Sequence, residues 1–183
     1  MTTELVLHHL HTGTVLDPLY YITRNDILIG LDFGPVDARL TTLLKRRFGS
    51  DFTLKETQNR HPIDAHIENY LNGDLHAGED LIVDCGGTPF QQRVWTTLRT
   101  IPVGKTWSYG ELATKLGTPS AARAVGLANG LNPVSLFVPC HRVIGSNGTL
   151  TGYAGGLARK KWLLNHEKAL EDNETPSLFS FLD

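Results

Sequence analysis

The chain has 183 residues, room for one domain or two small ones, and its 40% hydrophobic and 20% charged content is that of a folded globular protein. No apolar run reaches the roughly 18 residues that read as a membrane helix. Residues 1–10 lack a basic segment followed by an apolar one, so no export signal or membrane partner is expected, and the cytoplasm is the expected compartment.

The net charge of −2 conceals a division. Residues 1–85 hold seven basic and thirteen acidic side chains, and residues 86–168 hold ten basic and two acidic. Residues 169–183 add only Glu171, Asp172, Glu174 and Asp183. A basic segment of this kind is either a solvated face or the footprint of a polyanion binder. The start bears His8, His9 and His11, which could gather a metal but read better as a disordered polar terminus. Residues 19–23 and 27–33 are apolar runs separated by Arg24-Asn25-Asp26, which is hairpin chemistry. Pro35 can open a helix in which Val36, Leu40, Leu43, Leu44 and Phe48 form one stripe, with Gly49 at its end. Residues 52–57 suit another strand. A further helix starts near Pro62, buries Ile63, Ile67, Tyr70 and Leu71, and stops at Gly73. These elements predict an α/β N-terminal domain over residues 1–86, a small antiparallel sheet with helices.

Residues 84–87 look like the seam, and beyond it the punctuation is helical. Thr88-Pro89-Phe90-Gln91 is a capping box with proline at the first helical position, followed by Phe90, Val94, Leu98 and Ile101 on one face. Ser108-Tyr109-Gly110-Glu111 is a second capping box, opening a short helix that ends at Gly117. Pro119-Ser120 starts another helix, running to about Gly130. Two short helices joined by such a turn make a helix-turn-helix, within a mainly α domain over residues 87–168. The second helix is thin-walled: Ala121, Ala122, Ala124, Gly126, Ala128 and Gly130 surround Arg123, its only charge. That composition serves either tight helix packing or close approach to a narrow groove. An acidic tail, residues 169–183, follows.

Residues 134–138 form an apolar, strand-like run ending in Pro139-Cys140-His141-Arg142-Val143. An intracellular cysteine is either a small buried hydrophobe or a nucleophile. Beside a histidine, Cys140 is a candidate nucleophile, because an imidazole lowers the cost of forming the thiolate. Neighbours on an extended strand face opposite ways, so His141 would act through a water or a local turn, and Glu167 is the candidate acid to orient it. The two cysteines, Cys85 and Cys140, lack the spacing of a zinc site.

The run Pro139-Cys140-His141-Arg142-Val143-Ile144-Gly145, with Thr151-Gly152-Tyr153-Ala154-Gly155-Gly156 and Trp162-Leu163-Leu164-x-His166-Glu167 after it, resembles the O6-alkylguanine-DNA alkyltransferase family. Upstream, Gly87-Thr88-Pro89-Phe90-Gln91, Ser108-Tyr109, Ala121-Ala122-Arg123-Ala124-Val125-Gly126 and Asn132-Pro133 match it in order and spacing. The resemblance is close over residues 87–168, extends to layout alone over 1–86, and is nearest to the single-domain bacterial type. It implies a ribonuclease H-like N-terminal domain and a winged-helix-like C-terminal one. It further implies a monomer that binds duplex DNA and moves an alkyl group, irreversibly and without metal or cofactor, from O6 of guanine, and O4 of thymine, to Cys140.

In that scheme His141 takes the thiol proton through a water, Glu167 orients His141, and Asn132 hydrogen-bonds to the same network. Tyr109 donates to N3 of the departing guanine, and Arg123 fills the space left by the flipped base, on a surface that includes Ala122 and Gly126. Val143, Tyr153, Ala154, Gly155 and Lys160 line the pocket. The carbonyls of Cys140 and Val143 read the guanine amino group, and the amide of Ala154, where some members carry serine, faces O6. His141 and Glu167 are expected to lower the thiol pKa. A Cys-His-Glu hydrolase or amidase would share the triad but has no use for the paired helices and Arg123. A non-catalytic damage binder of the same fold would lack the acceptor cysteine. Cys85 reads as a bystander.

Overall fold

The computed structural model describes residues 2–34 and 38–170. The expected helix-opening Pro35 and Val36, and the acidic residues of the tail, lie outside the described residues. β1 (Thr3–Leu10), β2 (Leu19–Arg24), β3 (Ile27–Phe33) and β4 (Phe52–Thr57) form one sheet in the order β3-β2-β1-β4. β2 and β3 are the expected hairpin. Asn25 and Asp26 both take positive φ, 50° and 63°, as a two-residue turn matched to strand twist requires.

The sheet is mixed and not antiparallel, since β1 pairs parallel with β4. The cause is the crossover helix α1 (Ala38–Phe48), which returns the chain to the far edge in the same direction. Nor is the start disordered, for β1 is an inner strand. Its histidines diverge instead of converging on a metal. His8 is buried, stacked on Tyr21 with ring centroids 4.5 Å apart and bonded to Thr23 Oγ1 at 3.1 Å. His9 faces Glu56, and His11 faces Asp17.

Alternation along the strands sorts the core. Leu5, Leu7, Tyr20, Ile22 and Ile29 pack with Leu40 and Leu44 of α1 on one face. Leu19, Tyr21, Leu28, Leu31 and Phe33 face α2 (Pro62–Leu71) and the C-terminal helices in a core continuous across the seam. Those helices are α3 (Pro89–Leu98), α4 (Tyr109–Lys115), α5 (Ala122–Gly130) and α6 (Leu157–His166). The short β5 (Trp107–Ser108) and β6 (Val143–Ile144) pair in parallel.

Two expectations about local structure fail. A 3-10 turn at Pro119–Ala121 precedes α5, so the α-helix starts one turn later. Residues 134–138 are no strand: one bridge to Leu31 is followed by a turn in which Leu136 takes a φ of 72°. Leu31 N donates to Pro133 O, and Ser135 N donates to Leu31 O, both at 2.9 Å. The free edge of β3 thereby holds the segment that leads to Cys140. No helix among the described residues is long and apolar enough to cross a membrane.

Candidate active site

Both capping boxes form. Thr88 Oγ1 accepts from Gln91 N while Gln91 Oε1 accepts from Thr88 N, and Ser108 and Glu111 repeat the exchange at α4. Trp95 of α3 fastens α5 by donating to the Ala128 carbonyl at 2.9 Å. The face of α5 turned to solvent carries Arg123, Ala124, Leu127 and Gly130, and Ala122 and Gly126 are half-buried. Intramolecular packing does not account for the glycines here. A Cβ at Gly130 would meet nothing, and one at Gly126 would make ordinary contact, 3.5 Å, with the Tyr109 ring. Tyr109 lies between this helix and the segment after β6, its hydroxyl 3.5 Å from Thr151 O.

Cys140, His141 and Arg142 occupy a 3-10 turn, so the local turn, and not an extended strand, sets their directions. Cys140 is 5% exposed. Asn132, fully buried, directs Nδ2 at Cys140 Sγ (3.1 Å) and at the carbonyls of Val138 (2.8 Å) and Val134 (3.3 Å). Its Oδ1 accepts from Val134 N. The expected pairing of His141 with Glu167 is present, Nε2 to Oε1 at 2.9 Å, with both side chains inaccessible.

Arg142 is the residue that the sequence did not single out here. Its Nε and Nη2 grip both oxygens of Glu167 at 2.7 and 3.0 Å, and its Nη1 donates to Ile101 O at 2.6 Å. Tyr70, read from sequence as helix core, donates its hydroxyl to Glu167 Oε1 at 2.7 Å. Arg39 pairs with Asp32 and donates to Gly130 O and Asn132 O, tying α1 to the end of α5. The motif that contains Arg142 was a signal for it. Nothing local could have pointed to Tyr70 or Arg39.

Burial raises Glu167, but the hydrogen bonds and charges of His141 and Arg142 outweigh that and hold it well below the usual carboxylate range. An ionised carboxylate only accepts, so Nε2 of His141 carries the ring proton and Nδ1 is the basic nitrogen. Nδ1 is buried and has no hydrogen-bond partner among the described residues. Burial outweighs Glu167 and lowers His141, which is therefore neutral at rest.

The thiol departs from expectation. Burial pushes Cys140 above its ordinary value despite the Asn132 hydrogen bond and the charges of Arg39 and Lys160. Desolvation wins because a thiolate in this turn would have almost no water around it. The resting pair is a neutral thiol beside a neutral imidazole.

Lys160, fully buried, donates to Val143 O at 2.5 Å and Thr151 O at 2.8 Å, and burial brings it down to about 8. The Val143 carbonyl is thus partly engaged, and the Cys140 carbonyl already accepts from Val143 N. Tyr153 has a buried hydroxyl, Gly155 is buried against Tyr153 and Phe33, and Ala154 is exposed. Cys85 lies apart, pushed up to about 12 by burial. A cleft of about 900 Å³ runs behind the turn, between Tyr70, Cys85, Trp95 and Arg142, and Cys140 is not among its lining residues.

Residues 89–169 match the family described as 6-O-methylguanine DNA methyltransferase, DNA binding domain. The chain is 60% identical over 157 residues to the methylated-DNA–protein-cysteine methyltransferase of Salmonella typhimurium and 46% identical to that of Shigella flexneri. Each match covers 85% of this chain and 92% of the relative. The crystal structure of Mycobacterium tuberculosis OGT in complex with DNA superposes with a TM-score of 0.69 at 40% identity, covering 90% of this chain and 93% of that one. These matches run through the sheet as well as the helices, and on that basis the chain belongs to the family of methylated-DNA–protein-cysteine methyltransferases.

Proposed function

We propose that this protein repairs alkylated duplex DNA by direct reversal, taking the alkyl group from O6 of guanine, and from O4 of thymine, onto Cys140 in a single turnover. The observation that carries this reading is a thiol held by Asn132 beside an imidazole whose second nitrogen is fixed by a buried carboxylate. His141 Nδ1 accepts the thiol proton through a bridging water. The thiolate sulfur then bonds to the alkyl carbon as the carbon–O6 bond breaks, and the electron pair leaves with guanine. Tyr109 keeps its proton, because burial raises its pKa, and donates it toward N3 of the leaving base. The product thioether has no good leaving group, so the thiol is not regenerated. Sulfur supplies the electron pair itself, so the step needs no cofactor.

Val143, Tyr153, Ala154, Gly155 and Lys160 would line the base pocket. The paired helices α4 and α5 serve as a helix-turn-helix in a winged-helix-like domain over residues 87–168, joined to a ribonuclease H-like domain over 1–86. The protein acts as a cytoplasmic monomer. The direct test is incubation with an O6-methylguanine duplex: the peptide carrying Cys140 should gain one CH₂ unit, and an unmodified protein would overturn the proposal.

Flipping a base out of the stack costs a few kcal/mol, and on this reading the exposed Arg123, with Ala122 and Gly126 beside it, would fill the gap. Arg123→Ala should therefore slow repair of duplex DNA far more than reaction with free O6-benzylguanine, which needs no flipping. Equal losses on the two substrates would remove Arg123 from that role.

Alkylation itself should destabilise the protein. Asn132 Nδ2 keeps two carbonyl partners when the sulfur is methylated, so no donor is orphaned. The cost is steric, about 1–3 kcal/mol for an extra methyl in a close-packed site. In a chain of this size each kcal/mol lowers the melting midpoint by about 2–4 °C. Asn132 N also donates to Asn129 O on α5, so the strain should reach the DNA-binding helix and weaken duplex affinity. Matched melts of free and methylated protein test this, and an unchanged midpoint would show that the pocket accepts its product.

A further inference from the structure

Glu167 Oε1 is crowded. Tyr70 OH at 2.7 Å, His141 Nε2 at 2.9 Å and Arg142 Nη2 at 3.0 Å all donate to this one oxygen. An oxygen with two lone pairs shares its charge among three donors, so each weakens what the others receive. Tyr70 is the donor that comes from the N-terminal half, on α2. It is almost fully buried, and two further contacts fix its position. Its carbonyl accepts from His166 Nε2 at 2.8 Å, and its ring lies 5.2 Å from the His166 ring, one residue before Glu167.

We propose that Tyr70 is a positioning residue for alkyl transfer: its hydroxyl sets how much of the Glu167 charge reaches His141, and so the pH at which His141 is free to act as a base. The inference rests on the function proposed above. Burial and the neighbouring carboxylate hold the phenol far above its ordinary range, so Tyr70 is a donor at every working pH. The other groups facing His141 are Glu167 and Lys160, with Arg142 and Cys140 on its own turn. Lys160 changes charge near pH 8, above the ordinary imidazole range from which burial lowers His141. Tyr70→Phe removes the hydroxyl and leaves the ring packing. Glu167 then presents more charge to Nε2, and His141 holds its proton to higher pH.

The experiment is the pH profile of alkyl transfer from free O6-benzylguanine, in which DNA binding plays no part. The acid limb of Tyr70→Phe should move to higher pH by about half to one unit. Replacing Tyr70 with 3-fluorotyrosine, a stronger donor of nearly the same shape, should move the limb the other way. Nitrogen NMR of the His141 imidazole should give titration midpoints in the same order. Superimposed limbs, with at most a lower melting midpoint, would reduce Tyr70 to packing and overturn the inference. A limb that moves to lower pH in Tyr70→Phe would do the same. If Tyr70→Phe does not fold, the fluorotyrosine protein carries the test alone. A wild-type protein that takes no alkyl group from free base or duplex would instead overturn the function on which the inference rests.

Discussion

Cys140→Ala should lose all alkyl transfer while still binding duplex DNA. The substitution removes one buried sulfur, at a stability cost of about 1 kcal/mol, and leaves Asn132 Nδ2 bonded to the carbonyls of Val134 and Val138. Neither α5 nor Arg123 depends on the thiol, so the face proposed to bind DNA should keep its shape. Cys85 cannot take over. Burial pushes it up to about 12, so it keeps its proton near neutral pH, and no histidine stands beside it to take that proton. Cys140 is also raised by burial but has His141 next in the turn, Asn132 on its sulfur and the Lys160 charge nearby. Cys85→Ser should accordingly react like the wild type. Peptide mass spectrometry after exposure to O6-benzylguanine checks both variants. An adduct in Cys140→Ala would shift the acceptor role to Cys85.

The parts of this molecule that were legible in the sequence are those whose physics is local. The capping boxes at Thr88 and Ser108 need only four consecutive residues, and both helices start where those residues place them. The Arg24-Asn25-Asp26 turn is equally local, and so is the thin composition of α5. What was illegible depends on partners distant in sequence. Three histidines read as a polar start, yet β1 becomes an inner strand because Leu5 and Leu7 meet α1 while His8 finds Tyr21 and Thr23. The apolar run before Cys140 looks like a strand, but the edge of β3 offers it a single bridge, and Leu136 turns it inward. The thiol was expected to be lowered by His141, a rule that holds for partly solvated cysteines. In this turn the loss of water outweighs every neighbour. Tyr70 and Arg142 meet at Glu167 from different halves of the chain, and neither spacing nor composition could have joined them.

Glu167→Ala should be the most damaging substitution to stability. Four donated hydrogen bonds end on this carboxylate, two from Arg142 and one each from Tyr70 and His141. Without it, Arg142 remains a buried charge with the Ile101 carbonyl as its remaining hydrogen-bond partner. Breaking a buried pair from one side costs about 3–5 kcal/mol, a large part of a stability of about 5–15 kcal/mol. Transfer should fall as well, since nothing then keeps the proton on Nε2 of His141. The acid side of the stability curve carries a second signature. Glu167 titrates below its usual value near 4.5, so its contribution is complete above that pH and is lost as pH falls through the lower, folded value. The variant should lack that acid slope, and the stability gap between variant and wild type should narrow below about pH 4. Replacing both partners with apolar residues, Glu167→Met with Arg142→Met, should recover part of the stability, because no buried charge is left unpaired although Tyr70 and His141 still lose their acceptor. It should not recover transfer. A double variant that is stable and inactive would show that the ion pair is kept to hold the imidazole. Urea unfolding of wild type and of the single and double variants at pH 7 and at about pH 3 decides the matter. A Glu167→Ala protein as stable as the wild type, or a double variant no better than the single, would refute this account of the carboxylate.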